Sequence, residues 1–278
     1  MNSKRVWSVV FRYAALSLFS FLILIPFLWM LTTSLKSPGK IFLFPPQWIP
    51  SPVVWSNYAQ VFERQPLFLL QYFNSVYVAA VVAAGTCIVS SIAGYAFARI
   101  EFPFRNALFI LLLTGMMIPG EVTVIPLFIW LSKLGLANSH FSLTVPQIMG
   151  VEGIFGVFLF RQFFITIPQE IVEAADVDGC SPWRTFWRIM VPMAMPCFAT
   201  LSIFAFLNSW EDFLSPLIYL SSERLYTLPV AMKLFTDMAG TEWHLLMAAS
   251  VMATVPLLVV FFLAQRKFIE GVALTGLK

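Results

Sequence analysis

The chain has 278 residues, 59% hydrophobic and 11% charged, with a net charge of +3 and a mean hydropathy of +0.83. An ordinary soluble domain carries about 25% charged residues, and so much apolar surface left in water exceeds what soluble monomers tolerate. A cytosolic enzyme, a disordered chain and a nucleic-acid binder are excluded, and Cys87, Cys180 and Cys197 form no C-x-x-C pair or disulfide framework. What remains is an all-α polytopic membrane protein.

A span needs about 20 mostly apolar residues to cross about 30 Å of hydrocarbon. In chain order, six stretches meet that need: about 12–35, 70–98, 106–130, 141–160, 193–214 and 243–265. The first lies between Arg12 and Lys36. Its apolar run is too long for a signal-peptide h-region, and no A-x-A-like site follows, so an uncleaved span is expected. Residues 41–62 are uncharged too, but Pro45, Pro46, Pro50 and Pro52 forbid a continuous helix there. That stretch reads as an extraplasmic loop with a short helix near Asn57–Phe62. The third stretch holds Pro119, Gly120 and Glu121, where a helix break is expected; the fourth holds Glu152, and the fifth ends at Glu211 and Asp212.

Lys and Arg set the orientation. With the N-terminus in the cytoplasm, 11 of the 17 fall inside, so both termini are expected there. No internal repeat is visible, and residues 1–278 read as a single transmembrane domain.

Six spans leave one large cytoplasmic loop, about 161–192, between spans four and five. Its local chemistry predicts helix–turn–helix. Thr166 and Gln169 are placed for a capping box, and Pro168 with Glu170 and Glu173 suits a first turn. Gly179 is a left-handed stop. Ser181-Pro182 opens a second helix as N-cap and first residue, which Pro192 ends. Ile171, Ala174, Ala175 and Asp178 recur at i, i+3, i+4 and i+7, so they offer a docking face. A plain linker on the membrane surface is the alternative.

The string Glu173-Ala174-Ala175-x3-Gly179-x9-Ile189-x2-Pro192 resembles the coupling-loop signature of binding-protein-dependent ABC importer permeases, with every signature position filled. Other segments are similar to the second permease subunit of the carbohydrate-uptake branch, the maltose-type partner permease. They are Met116-Met117-Ile118-Pro119 through Ile125-Pro126-Leu127-Phe128, Arg161-Gln162-Phe163-Phe164, Trp210-Glu211-Asp212-Phe213-Leu214-x-Pro216, and Thr227-Leu228-Pro229-Val230. The tail Gln265-Arg-Lys-Phe268-x2-Gly271-x4-Gly276-Leu-Lys278 matches with looser spacing, and Glu211 stands where the family usually has Asn.

The resemblance implies a transport subunit in the inner membrane of a bacterium or archaeon, not an enzyme. It would form half of a translocation pathway for a sugar, polyol or glycerophosphate-type solute. Implied partners are a second homologous permease, two copies of a cytoplasmic ATPase and an extracytoplasmic solute-binding protein, besides lipid. Glu173, Ala174, Ala175, Asp178, Gly179, Ile189 and Pro192 would couple to the ATPase. ATP and Mg would sit on that partner, since this chain has no GxxxxGK[ST] loop. No cofactor of its own is expected.

Acids inside a membrane are costly and mark function by default. Glu152, Asn208, Glu211 and Asp212 are the candidate path residues. Each has a plainer alternative: a pairing with the partner permease for Glu152, and a hydrated helix end for Glu211 and Asp212. Glu121 reads as a loop carboxylate. Asn74, Ser75, Ser90, Ser91 and Ser209 read as path groups or as helix–helix glue. His140 and His244 share no metal-like spacing. The competing class is a self-contained secondary transporter, which would need midplane ion sites and usually an inverted repeat.

Overall fold

The computed structural model describes residues 3–237 and 240–275, with the backbone alone at 3–6, 237, 263–264 and 266–275. The elements are α1 (Ser3–Ser34), α2 (Ser56–Arg64), α3 (Phe68–Arg99), α4 (Arg105–Thr114), α5 (Gly120–Lys133), α6 (Phe141–Met149) and α7 (Val151–Thr166). Then come α8 (Gln169–Val177), α9 (Pro182–Thr185), α10 (Val191–Met193), α11 (Met195–Glu211), α12 (Leu214–Tyr219), α13 (Leu228–Lys233) and α14 (Trp243–Thr275). A short hairpin pairs β1 (Thr236–Asp237) with β2 (Gly240–Thr241).

Four segments are long and apolar enough to span on their own: Trp7–Ser34, Phe68–Arg99, Phe141–Thr166 and Trp243–Phe262. Two further pairs qualify if each bent pair counts once. Arg105–Met117 with Gly120–Lys133 bends by 100°, and Pro182–Met193 with Met195–Glu211 by 77°. The described residues therefore hold four to six candidate spans. Gly276, Leu277 and Lys278 of the tail motif lie outside them.

The contacts divide the chain into two compact units. One holds the residues up to Phe68 together with Ala231–Val255. Here α1 ends at the proline-rich loop, and α2 lies in that loop as expected. The buried Asn57 amide donates to the carbonyls of Ser34 (2.8 Å) and Lys36 (2.9 Å), two acceptors the end of a helix leaves open. Lys36 is 1% exposed, with its Nζ 3.9 Å from the centre of the Trp29 ring. Burial holds its pKa below the usual lysine range. Trp29 meets Trp48 edge-on at 5.2 Å, and Arg64 pairs with Glu242 at 2.7 Å beside the hairpin.

The second unit holds Leu69–Val230 and the part of α14 from Pro256 onward. Its core joins α3, α7, the loop after α7 and α11 through Tyr95, Phe160, Phe164, Phe186, Met190 and Leu201. Helices α3 and α7 cross closely because glycines stand at the crossing. A Cβ on Gly94 would lie 2.6 Å from Phe160 Cβ and 3.0 Å from Arg161 N. Ser90 Oγ donates to Gly153 O at 2.8 Å, and Arg161 Nε to Phe97 O at 3.3 Å.

Two local expectations fail here. The Thr166–Gln169 capping box does not form, because Thr166 is still the last residue of α7 and donates to Phe163 O at 2.7 Å. Pro168 takes the N-cap position of α8 instead. Pro192 does not end the second loop helix. A π turn over Phe186–Met190 carries the helix to Met193, and the chain turns at Ala194. Pro192 is the second residue of α10, directly after the π turn.

Candidate functional site

The first candidate is the surface of the loop between α7 and α11. Helix α8 is amphipathic on a small scale. Ala175 is 4% exposed, and Ile171 and Val172 pack against the core cluster that contains Phe164 and Phe186. The outward stripe is Glu170, Glu173, Ala174 and Val177, again at i, i+3, i+4 and i+7, with Val177 88% exposed. This corrects the docking face read from spacing. Ile171 and Ala175 form the apolar side of the helix, and an apolar side goes to the chain's own core first. Of the motif's small pair, Ala174 alone is on the surface.

The helix ends as Gly179 requires. Its φ is +74°, its N–H reaches Asp176 O at 3.0 Å, and Cys180 N–H reaches Ala175 O at 2.9 Å. That pair of bonds is the Schellman arrangement. A Cβ at Gly179 would touch nothing, so the need for glycine there is conformational. Ser181 Oγ accepts from Arg184 N at 3.3 Å, as its N-cap position demands. Beyond it Trp183 and Trp187 are exposed while Phe186 is buried. Asp178 and Pro192 are exposed, and Ile189 is half-buried. The outward face therefore joins an acidic, small-residue helix to two indole rings.

The second candidate is a cavity of about 680 Å³ within the same unit, where α5, α6, α7, α11 and α12 meet. Glu152, Asn208, Glu211 and Asp212 all line it, and Glu121 joins them. These residues come together because the helices break there. Gly150 is extended between α6 and α7, which puts Glu152 in the first turn of α7. Pro119 caps α5 and puts Glu121 in its first turn. The positive end of a helix favours a carboxylate at such a position. Asp212 accepts from Gln147 Nε2 at 2.9 Å and from Ser215 N at 3.2 Å.

Sequence reasoning missed Gln147, Ser215 and Tyr219 in the lining. Tyr219 donates to Val124 O at 3.1 Å and stacks on Phe128. Burial first, and the charge of Asp212 second, raise its pKa above the usual phenol range. The one available signal was Gln147, a polar residue beside Pro146 in an apolar run.

The other polar candidates are ties inside the fold. Asn74, Ser75 and Ser90 bond to backbone groups, and Ser91 bonds to Ile88 O of its own helix. Ser209 is buried. His140 Nε2 lies 3.0 Å from Leu225 O, and His244 is buried. Among the described residues no group of three or more His, Cys, Asp or Glu is arranged to hold a metal.

Residues 87–273 match the family model described as the binding-protein-dependent transport system inner membrane component. The chain is 35% identical to an arabinooligosaccharides transport system permease protein of Halalkalibacterium halodurans, over 89% of this chain and 86% of that one. It is 33% identical to a lactose transport system permease protein of Rhizobium radiobacter, over 94% of each. Among solved structures, a chain of a bacterial ABC transporter involved in the import of the acidic polysaccharide alginate superposes with a TM-score of 0.80. That match is 21% identical and covers 96% of this chain and 98% of the other.

Proposed function

The chain belongs to the family of binding-protein-dependent transport system inner membrane components, and from that premise we propose that it is one permease subunit of an ATP-driven importer for a sugar or related polyol or glycerophosphate-type solute. It is a transport component rather than an enzyme. The observation that carries the coupling role is the outward stripe of α8. Glu170, Glu173, Ala174 and Val177 stand on a capped helix whose other side is fixed to the core. A helix held from behind and small in front is suited to seat in a groove of a cytoplasmic ATPase and to move as a lever.

Both bent pairs count as single spans in this reading, which makes six. The termini then lie on the cytoplasmic side with the coupling loop, in the inner membrane of a bacterium or archaeon. The cavity with Glu152, Asn208, Glu211 and Asp212 is this subunit's half of the path, and a second, homologous permease supplies the other half. Two ATPase copies hold ATP and Mg, and a solute-binding protein delivers from outside. The relatives' names support the sugar class.

The test is co-purification in mild detergent with the neighbouring gene products, for the native chain and for Gly179→Val. At φ +74° a β-branched residue is strained by on the order of 1–3 kcal/mol, while nothing clashes with it. The native chain is expected to bring down an ATPase, and the variant to lose it or to hydrolyse ATP without moving solute. A native chain that purifies alone and moves solute without ATP would be a secondary transporter, and the proposal would fall.

A further inference from the structure

Helix α3 is the one span among the described residues with neither a proline nor a break. Prolines lie inside α1 (Pro26), α5 (Pro126), α6 (Pro146) and α14 (Pro256), and the α4–α5 and α9–α11 segments bend by 100° and 77°. Prolines and helix breaks are where helices bend sharply, and α3 has neither.

Buried or half-buried polar side chains tie each end of this rod to a loop. At one end Gln71 Nε2 donates to Glu223 O at 2.9 Å, and Asn74 Nδ2 to Arg224 O and Tyr226 O at 2.9 and 3.0 Å. Ser75 Oγ accepts from Leu228 N at 2.7 Å. Three side chains thus hold one short stretch of backbone, residues 223–228. At the other end Arg99 donates to Phe164 O at 2.6 Å, to Ile167 O, and to Gln169 Oε1 at 2.6 Å. One turn earlier Tyr95 donates to Pro182 O at 3.3 Å. Arg99 therefore grips the chain where α8 begins, and Tyr95 grips it where α9 begins. Asn74 and Arg99 are 25 residues apart, or about 37 Å along a helix, more than the hydrocarbon thickness.

We infer that α3 is the strut that carries the arrival of the solute-loaded binding protein from the outer segment 223–228 to the ATPase-facing loop, with Asn74 and Arg99 as its two positioning residues. This rests on the importer reading, which puts the two ends on opposite faces of the membrane. Bonds that served stability alone could fall anywhere along the helix. Apart from the bond of Ser90 to Gly153 O in the middle, these ties fall at its ends, where they hold segment 223–228 and the chain leading into α8 and α9. A rod tied at both ends and unbroken between them moves those loops together.

The test uses the assembled transporter in lipid nanodiscs, with ATP hydrolysis measured with and without its solute-binding protein as purified. Asn74→Leu and Arg99→Gln are expected to keep basal hydrolysis and to lose about tenfold in stimulation, within the usual range of coupling between sites. Arg99→Lys should recover part of it. Tyr95→Phe deletes a single hydroxyl and should lose about threefold, in line with one hydrogen bond; it carries the test alone if Arg99→Gln does not assemble. Unchanged stimulation in the end variants overturns the inference. So does a parallel loss of basal and stimulated rates, which marks a purely structural role. A native complex without an ATPase, or one that the binding protein does not stimulate, refutes the importer reading before any variant is made.

Discussion

Helix α3 and the α4–α5 segment are alike in length and apolar content and opposite in shape. The first runs 32 residues without interruption, and the second folds back by 100° at Ile118–Pro119. Pro119 and Gly120 make the difference, because neither supports a helix interior. The difference extends to polar groups. In α3, Asn74, Ser75 and Ser90 are hydrogen-bonded to backbone of other segments, while at the bend Glu121 opens onto the cavity. Irregular backbone at membrane depth is tolerated where it lines a cavity or is buried in protein. The two segments show a strut and a lining built from the same composition.

The most severe way to break the contrast is to put a proline in the strut. Ala83→Pro removes a helix hydrogen bond and clashes with the preceding turn, at about 3 kcal/mol or more. No assembled complex is expected by size exclusion; full recovery with an unchanged Tm would mean that the continuity of α3 is dispensable. A single methyl group tests the crossing. Gly94→Ala puts a Cβ 3.0 Å from Arg161 N and 3.1 Å from Val157 O, backbone atoms that do not yield cheaply. Overpacking of about 1–3 kcal/mol outweighs the helix-propensity gain, at about 2–4 °C of Tm per kcal/mol. The same substitution at the bend should do least. Nothing lies within 4 Å of a Cβ at Gly120, so Gly120→Ala should shift Tm by less than about 2 °C. Equal shifts at the two glycines would erase the distinction.

The architecture was legible where local chemistry decides it. Charge-free runs marked the spans, prolines isolated α2 in its loop, and Gly179 and Ser181 fixed the turn between the two loop helices. What spacing could not give was which side of α8 faces out. A stripe at i, i+3, i+4 and i+7 can be drawn through Ile171 or through Glu170, and only the presence of Phe164 and Phe186 behind Ile171 decides. The cavity was legible as a set of suspicious residues and not as a place. Glu121, Glu152 and Asp212 are far apart in sequence and line one cavity because the breaks before α5, between α6 and α7, and between α11 and α12 all open onto it. Asn74 and Arg99 were invisible as a pair, since their partners lie about 150 and 65–70 residues away.

The first span is the counterexample to all this packing. Its apolar window has no residue buried by the rest of the chain. Its helical form then rests on backbone bonding in hydrocarbon, not on shape. Selection acting through this chain's own fold can read only the length and oiliness of that window. An apolar exchange in that window disturbs no packing within this chain, whereas an added methyl at Gly94 of the α3–α7 crossing does.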